Sequence, residues 1–571
     1  MRLASISIKN FRGIKVGNFV FPLTQRLFCV IGAGDSCKST LLKAIEWCLW
    51  PTWNVAATDL DFYNGDTSNP IVIEGSIADI PEELLTEDKF GLYLRDLDAV
   101  IAGEENDEPI DGSETVITIR LTIDESLEPV WKLITNRTEP HSISQKDRRM
   151  FPLGIVGDNY EKDFVWGRTS VLQSYSDTSN DTLHTAYTQA MRAAVEKIDL
   201  TSLDQTTGSI KNIGKQYGVA FNGNIYNRLL MQNGSYSTTV GVFDDKVPFS
   251  QRGLGSKRLL SMGMNIHAST TGSVILIDEI ETGLEPFRLC TLINHLRSEV
   301  KEKGQIIFTT HSRSAVCECT VDELYIINEK NGVVSWSPIA DQDTKDMVQS
   351  LIRTEPDAFL CKRIIVCEGK TEVGLLRAFD EYLYGKSKSR FAYHGVGIAL
   401  GGGGDKFFKL AKLLKKCGYD VCILMDSDIS KEEQEKQEVE TFGIKVFSWE
   451  EGNAIEEQIF LDATINCVMD LINLGIENKG FSSVKAQLLN GVKNVNTIFT
   501  FGKDTITIQG RMDSKSRLDI GKVAKGNSWY KRIDLGQIFG NTVFRNGRMT
   551  EGCHFLKVMD ELKKWVNLNE S

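Results

Sequence analysis

The chain has 571 residues, more than one hydrophobic core usually serves, so two to four domains are expected. Its 41% hydrophobic and 25% charged residues are typical of a globular protein. No apolar run approaches the roughly 18 residues of a membrane span, which argues against membrane or small-molecule transport. The net charge of −12 argues against nonspecific coating of nucleic acid, although it allows a local basic groove.

The N-terminus and the cysteines both favour a cytoplasmic protein. Residues 1–6 lead straight into an alternating strand pattern, unlike a signal peptide. Twelve cysteines scattered along such a chain fit reduced thiols. The closest pair, Cys317 and Cys319, lacks the spacing of a zinc site.

Strand and helix patterns alternate along most of the chain. Residues 3–9 alternate like a strand, and a second strand at 26–31 runs into a glycine-containing loop that leads to a helix at 41–50. Further strands are predicted at residues 71–80, 115–135, 274–278 and 305–309. Residues 175–235 are polar and contain one clear helical pattern, at 185–198, which suggests an insertion between two halves of one domain.

The loop after the second strand has the spacing of a phosphate-binding loop. Residues 32–39 fit G-x-x-x-x-G-K-[ST], except that Cys37 stands where the second glycine belongs. In such a loop the backbone N–H groups cradle phosphates, Lys38 reaches the β and γ oxygens, and Ser39 ligates Mg²⁺. The candidate ATP contacts here are Gly32, Gly34, Asp35, Ser36, Cys37, Lys38, Ser39 and Thr40.

A second nucleotide element follows the apolar strand at 274–277, which ends in Asp278 and Glu279. Asp278 is expected to hold the Mg²⁺ shell, and Glu279 to orient or deprotonate the attacking water. His311 follows the next strand, where it could contact a γ-phosphate.

These elements together resemble the ABC-type ATPase head of the RecF/SMC class. The resemblance rests on the opening at residues 6–13, the phosphate loop, a signature loop at 250–256, the Asp278–Glu279 pair, a D-loop at 281–286, and His311. It implies that ATP is sandwiched between the phosphate loop of one copy and Ser250 and Gly253 of another, and hence a homodimer or a higher homo-oligomer. The signature loop departs from the usual LSGGQ order. Because of Cys37, we expect ATP to be bound but hydrolysed slowly.

Acidic residues follow two apolar, β-branched stretches in the last third of the chain. Glu368 follows residues 364–366, and Asp426 and Asp428 follow residues 421–424. Such stretches predict buried parallel strands. Side chains at the C-terminal ends of these strands converge in the crevice of an open sheet. Carboxylates there suit Mg²⁺ or Mn²⁺ and phosphodiester chemistry.

Glu-Gly-Lys-Thr-Glu at 368–372, the glycine run at 401–404 and the Asp-x-Asp at 426–428 resemble a Toprim domain, shared by topoisomerases, primases and certain nucleases. An ABC head followed by Toprim resembles the OLD family of nucleases, which also supplies anti-phage systems such as Gabija and some retron effectors. The implied fold is α/β, with a RecF/SMC-like ATPase domain that carries a helical insertion, followed by a Toprim domain with a parallel sheet. The implied division is residues 1–140 and 246–350 for the ATPase halves, 141–245 for a helical dimerisation or partner-docking insertion, and 361–571 for the Toprim domain with a C-terminal extension.

The Toprim resemblance also implies roles for residues. The metal ligands would be Glu368, Glu372, Asp426, Asp428 and Glu456, with Glu368 also serving in proton transfer. The cation for the developing phosphorane charge would be Lys531 in Trp529-Tyr530-Lys531-Arg532, with Lys525 and Lys522 behind it and Lys370 as an alternative. The glycine run at 401–404 is either a turn that lets DNA approach, which Lys406 and Lys409 favour, or a plain flexible loop.

The leading hypothesis is an ATP-regulated, metal-dependent DNA endonuclease that uses two Mg²⁺ or Mn²⁺ ions, with Glu368, Asp426, Asp428 and Lys531 as its catalytic residues and Glu279 as that of the ATPase. The alternative is a nucleotide-switched scaffold that binds DNA or a partner without cutting. A topoisomerase is less favoured because it needs a nucleophilic tyrosine in a separate DNA-gate domain. A retron effector would bind a reverse transcriptase and its RNA–DNA product, whereas a Gabija-like protein would pair with a helicase.

Overall fold

The computed structural model describes residues 1–51, 55–86, 89–156, 163–165, 171–172, 203–221, 223–230, 239–268, 272–387, 389–427 and 433–566. The chain divides into two units, Met1–Ile339 and Ala340–Ser571. Within the described residues, no helix combines the length and the apolar character needed to cross a membrane. The predicted helix at 185–198 and Asp428 lie outside the described residues.

The first unit is built on one large mixed sheet. Its strands are β1 (Arg2–Phe11), β2 (Ile14–Val20), β3 (Leu27–Ile31), β4 (Ile71–Ala78), β5 (Arg95–Asp96), β6 (Thr115–Ile123), β7 (Pro129–Ile134), β8 (His141–Ser142), β9 (Leu153–Val156), β13 (Ser273–Ile277), β14 (Gly304–Thr309), β15 (Leu324–Lys330) and β16 (Val333–Pro338). They run in the order β8-β7-β6-β4-β1-β2-β16-β15-β3-β14-β13-β9, and β5 pairs with β6. A separate three-stranded sheet contains β10 (Ile225–Leu230), β11 (Thr239–Asp244) and β12 (Val247–Pro248).

The sheet has a parallel half and an antiparallel half. Strands β9, β13, β14, β3 and β15 are parallel neighbours, and β1, β2, β4, β6, β7 and β8 pair antiparallel. The parallel strands β3 and β13 are buried along their whole length, as expected when both faces of a sheet are covered. The sequence did not indicate β9, which adds an edge strand from within the predicted insertion.

The helices of the first unit are α1 (Lys38–Cys48), α2 (Leu97–Ala102), α3 (Gln145–Arg148), α4 (Asp204–Gln216), α5 (Leu254–Ala268), α6 (Pro286–Lys303) and α7 (Arg313–Glu318). Helix α1 begins three residues before the predicted helix, because the phosphate-loop lysine already belongs to its first turn. Its apolar face packs into the core beneath the antiparallel strands, where Trp47 contacts Phe11 with ring centroids 5.0 Å apart.

The second unit is built on a four-stranded parallel sheet in the order β18-β17-β19-β20. Its strands are β17 (Arg363–Cys367), β18 (Val396–Leu400), β19 (Asp420–Met425) and β20 (Lys445–Ser448), with a small hairpin of β21 (Phe499–Phe501) and β22 (Ile506–Ile508). Its helices are α8 (Lys345–Thr354), α9 (Lys370–Ser387), α10 (Lys406–Lys416), α11 (Glu433–Thr441), α12 (Ile455–Asp462), α13 (Ile465–Lys479), α14 (Phe481–Gly491), α15 (Val495–Ile498), α16 (Ser514–Gly526), α17 (Ile533–Val543) and α18 (His554–Trp565).

The α/β fold predicted from the sequence is confirmed, including the parallel pairing of the two apolar stretches that precede Glu368 and Asp426. These stretches form the adjacent central strands β17 and β19, with Ile364 opposite Val421 and Cys367 opposite Leu424. Their carboxyl ends therefore lie side by side at one edge of the sheet.

Candidate active site and nucleotide loop

Glu368 and Asp426 are joined directly by one hydrogen bond at the ends of β17 and β19. The Glu368 N–H donates to Leu424 O at 3.1 Å, which continues the strand pairing by one residue. The Asp426 N–H in turn donates to Glu368 Oε2 at 3.0 Å. The two residues that the sequence assigned to one site are thus held together by strand pairing and by a bond from the Asp426 backbone to the Glu368 carboxylate.

Two further acids reach the same place from helices. Glu372 lies in the first turn of α9 and Glu456 in the first turn of α12, and they are only 3% and 2% exposed. All four acids line one cavity of about 480 Å³, whose wall consists of Glu368, Gly369, Lys370, Thr371, Glu372, Leu400, Gly402, Gly403, Asp426, Glu456, Lys525 and Lys531. Four of the five predicted metal ligands therefore converge.

Burial among like charges raises the pKa values of three of these carboxyl groups. Desolvation, with Glu456 and Glu368 close by, raises the pKa of Glu372 to about 8. Desolvation also raises the pKa of Glu456 to about 7, although Lys531 and Lys525 pull it down. The pKa of Asp426 rises well above its ordinary value for the same two reasons, burial and the neighbouring acids.

One oxygen of this cluster has no hydrogen-bond donor within the described part of the chain. The Oε1 atom of Glu456 is buried and accepts no hydrogen bond from any described residue. An orphaned carboxylate oxygen among other hard oxygen donors fits a divalent metal such as Mg²⁺. No three His, Cys, Asp or Glu side chains of the described ranges are already arranged to hold an ion.

The lysines reach the cavity because the residues around them are tightly packed. Trp529 and Tyr530 are fully buried, with Trp529 Nε1 donating to Gln487 at 2.7 Å and the Tyr530 hydroxyl donating to Leu471 O at 2.7 Å. The next residue, Lys531, is exposed and lines the cavity. The aromatic pair thus fixes the lysine.

A close helix contact places the second lysine. A Cβ on Gly521 would lie 2.6 Å from Glu457 Cα, so α16 approaches the backbone of α12 as only glycine allows. Lys525 lies one helical turn further along and lines the cavity, as does Lys370. Lys522, the other lysine considered from the sequence, is exposed and does not line it.

The glycine run forms a left-handed turn at the mouth of the cavity. Gly402, Gly403 and Gly404 have φ values of 87°, 72° and 61°. The Gly403 N–H donates to Glu368 O at 3.1 Å, and a Cβ on Gly401 would lie 2.1 Å from Phe407 Cβ. The turn requires glycine for its conformation, and its approach to DNA stays a prediction.

In the first unit, the predicted phosphate loop connects β3 to α1. Lys38 is 5% exposed and donates to Gly32 O at 3.1 Å, to Ala33 O at 2.8 Å and to Ser36 Oγ at 3.2 Å. Burial lowers the pKa of Lys38 to about 8. The loop therefore folds around its own lysine in the place that a phosphate group occupies in such loops.

Cys37 has the backbone conformation of the glycine that it replaces. Its φ and ψ are 68° and 21°, in the left-handed region, and burial raises the pKa of its thiol to about 11. A Cβ on Gly13 would lie 2.7 Å from Cys37 Sγ, so the turn after β1 packs on the loop. Asp35 is also left-handed, with φ 63°.

The Asp–Glu pair after β13 faces the phosphate loop. Ser39 Oγ donates to Asp278 Oδ1 at 3.1 Å, and Thr309 Oγ1 donates to the same oxygen at 2.5 Å. The sequence did not indicate Arg258, whose Nη2 donates to the carbonyls of Asp278 and Glu279 at 2.6 and 2.8 Å. The sequence feature that could have indicated Arg258 is its position one turn into the helix that follows the signature loop.

His311 and the signature loop are held by the D-loop. The His311 N–H donates to Glu281 Oε1 at 2.7 Å, and burial together with Lys38 lowers the pKa of its imidazole. Ser250 lies in a short 3₁₀ turn and Gly253 is exposed just before α5. A Cβ on Gly255 would lie 2.5 Å from Gly283 O, so the start of α5 packs on the D-loop.

Comparisons with known proteins identify the kinds of domain in this chain. Residues 359–428 match the family model described as Overcoming lysogenization defect protein-like, TOPRIM domain. Residues 5–149 match an AAA domain model, and residues 170–318 match an AAA domain model named for the AbiEii toxin of a type IV TA system. The chain combines AAA-type ATPase domains with an OLD-like Toprim domain. The predicted order of an ATPase head followed by an OLD-type Toprim domain is thereby confirmed.

One curated relative spans most of this arrangement. The Old nuclease of Escherichia phage P2 is 22% identical over 492 residues, which are 75% of this chain and 77% of that protein. Solved structures with some similarity include the SMC head domain from Thermotoga maritima, at 15% identity and a TM-score of 0.31, covering 60% of this chain and 100% of that one. The Smc head domain from Pyrococcus furiosus gives 12% identity and a TM-score of 0.39, covering 61% and 99%.

Proposed function

We propose that this chain is a nuclease whose Toprim cavity cuts DNA with Mg²⁺ or Mn²⁺ and whose ATPase domain regulates the cutting. The observation that supports this most is the cavity itself, which is lined by four acids together with Lys525 and Lys531. The similarity to the Old nuclease of Escherichia phage P2 points to the same activity.

In this proposal the acids hold metal and the lysines hold phosphate. Glu368, Glu372, Asp426 and Glu456 would be ligands, with Asp428 completing the set from outside the described residues. Two bound ions would polarise the phosphodiester and stabilise the attacking and leaving oxygens. Lys531, exposed at the cavity and anchored through Trp529 and Tyr530, would bind the phosphate whose charge increases during cleavage.

The nucleotide loop would act as the regulator. Ser39 and Asp278, already hydrogen-bonded, would share the Mg²⁺ of ATP, and Glu279 would act on the attacking water. ATP would displace the loop carbonyls that Lys38 now contacts. Since Cys37 occupies a glycine position, we propose that ATP is bound but hydrolysed slowly, and that the ATP-bound form is a homodimer.

The test is cleavage of plasmid DNA by the full chain with Mg²⁺ or Mn²⁺, with and without ATP. Glu368→Ala and Asp426→Ala should each abolish cutting, while Glu477→Ala, an exposed acid on α13, should leave it intact. Full cleavage by both site variants would refute the proposal. ATP-dependent DNA binding without strand scission under either metal would instead support the scaffold alternative.

We also propose a role in defence against phages, which depends on the resemblance to OLD-family effectors. It predicts that cells expressing the chain with its neighbouring genes resist phage infection, and that Asp426→Ala removes the resistance. Co-purification would distinguish a reverse transcriptase with its RNA–DNA product from a helicase as the partner. Equal phage titres with and without the intact genes would refute the role in defence.

A further inference from the structure

The loop between β20 and α12 encloses the end of β19. Ser427 Oγ donates to Trp449 O at 2.8 Å, the Ser427 N–H donates to Asn453 O at 3.0 Å, and the Gly452 N–H donates to Ser427 O at 2.8 Å. Gly452 has φ 87°, the left-handed conformation that lets the loop turn back. These bonds define a clasp, residues 449–455, that grips the residue next to Asp426.

The clasp also occupies one oxygen of Asp426. Trp449 Nε1 donates to Asp426 Oδ1 at 3.2 Å, and the Ile455 N–H donates to the same atom at 2.9 Å. Within the described parts of the chain, Asp426 Oδ2 accepts no hydrogen bond. Asp426 therefore presents one committed oxygen and one that is available at the cavity.

Trp449 is well placed to keep this arrangement rigid. Its side chain is 3% exposed, and its ring stacks on Phe555 with centroids 5.7 Å apart and an interplanar angle of 23°. A rigid donor restricts rotation of the carboxylate about its terminal torsion, which is otherwise broad. The indole N–H thus selects which oxygen of Asp426 faces the cavity.

A carboxylate with one available oxygen can bind a metal only through that oxygen. Mg²⁺ and Mn²⁺ favour such single-oxygen ligands in six-coordinate sites, whereas Ca²⁺ takes more ligands and often both oxygens of a carboxylate. We propose that Trp449 is a positioning residue that acts through Asp426 to make the Toprim cavity select a small six-coordinate cation over Ca²⁺. This inference rests on the metal site of the proposed function.

The test measures metal binding without DNA or nucleotide, so that it does not depend on cleavage. Mn²⁺ and Ca²⁺ affinities of the full chain are determined by calorimetry, and the bound Mn²⁺ is followed by its paramagnetic resonance signal. Trp449→Phe keeps a ring for Phe555 and removes the N–H. We expect Mn²⁺ affinity to fall about tenfold, as when a group that orients a metal ligand is removed, and Ca²⁺ affinity to fall less.

Two further variants make the outcome specific. Trp336→Phe also removes a tryptophan N–H bond, to Val20 O at 3.0 Å in the first unit, and should change neither affinity. Ser427→Ala removes the hydrogen bond from the hydroxyl to Trp449 O. It should lower the preference for Mn²⁺ over Ca²⁺, as Trp449→Phe does, but by a smaller factor. It keeps the inference testable if Trp449→Phe does not fold.

A double-mutant cycle tests whether Trp449 acts through Asp426. In an Asp426→Asn background, Trp449→Phe should have no further effect on Mn²⁺ affinity. Wild-type affinities in folded Trp449→Phe, or equal losses for Mn²⁺ and Ca²⁺, would overturn the inference while leaving the proposed function standing. If Asp426→Asn itself leaves Mn²⁺ binding unchanged, the metal role in the proposed function fails instead.

Discussion

Replacing Glu372 by glutamine should stabilise the metal-free protein at alkaline pH. The Glu372 pKa rises from 4.5 unfolded to about 8 folded, mainly because burial disfavours the charged form. Between these values the folded chain holds a proton that the unfolded chain has released, so the stability associated with this residue falls as the pH rises through that window. Glutamine resembles the protonated acid and does not titrate.

The expected magnitude follows from the size of the pKa change. At about 1.4 kcal/mol for each pH unit, glutamine should be more stable than glutamate by on the order of 4 kcal/mol at pH 8, and by almost nothing near pH 4.5. For a unit of this size, that corresponds to a difference in melting temperature of roughly 10 °C.

The assay is hydrogen–deuterium exchange of peptides from β17 and α9 in the full chain with EDTA. Wild type and Glu372→Gln are compared at each pH, so that the intrinsic pH dependence of exchange cancels. Saturating Mn²⁺ should reverse the order, because a bound cation favours the ionised glutamate. Glu477→Gln, at an exposed acid of α13, should show no such pH dependence. Equal protection of wild type and Glu372→Gln at pH 8 would refute the reasoning.

Three other changes test separate parts of the structure. Gly521→Ala places a Cβ 2.6 Å from Glu457 Cα, so it should destabilise the second unit by about 1–3 kcal/mol and reduce cleavage. Its control, Gly526→Ala, has open space around the new Cβ and should change neither the melting temperature nor the cleavage rate. Lys531→Ala should abolish cleavage without lowering the melting temperature, since its side chain is exposed. Cys37→Gly should raise steady-state ATP hydrolysis. It should leave the melting temperature within a few degrees of wild type, because the relief of about 1 kcal/mol of left-handed backbone strain offsets the greater freedom of glycine in the unfolded chain.

The buried parallel strands β3, β13, β14, β17 and β19 were predictable because apolar runs of this length leave few alternatives. The runs before Glu368 and Asp426 became adjacent parallel strands, and the loop before Lys38 connected a strand to a helix as its spacing required. The pairing of β9 with β13 was not predictable, since four residues with no charge pattern carry little periodic signal.

The site was predictable as a set of residue types but not as a geometry. Sequence motifs brought Glu372 and Glu456 to the list of acids, yet their almost complete burial depends on helices packed over them. Arg258 and Trp449 were given no role from the sequence, because each donates its hydrogen bond to a residue outside its own motif. From the sequence, Lys525 and Lys522 were equal candidates for the phosphate-binding cation. The approach of α16 to α12 shows that, of the two, only Lys525 lines the cavity.

The packing of the second unit explains why its acids tolerate one another. Glycines at two helix contacts allow a close approach. A Cβ on Gly374 of α9 would lie 2.5 Å from Ile533 O of α17, and one on Gly521 of α16 would lie 2.6 Å from Glu457 Cα of α12. Those contacts hold Lys525 and Lys531 against a group of carboxyl groups whose pKa values burial raises. Because its pKa is about 8, Glu372 stays largely protonated at neutral pH, and Glu456 Oε1 accepts no hydrogen bond from any described residue. We expect a divalent cation to favour the ionised carboxylates, as the proposed function requires, so that metal binding should increase the stability of this unit.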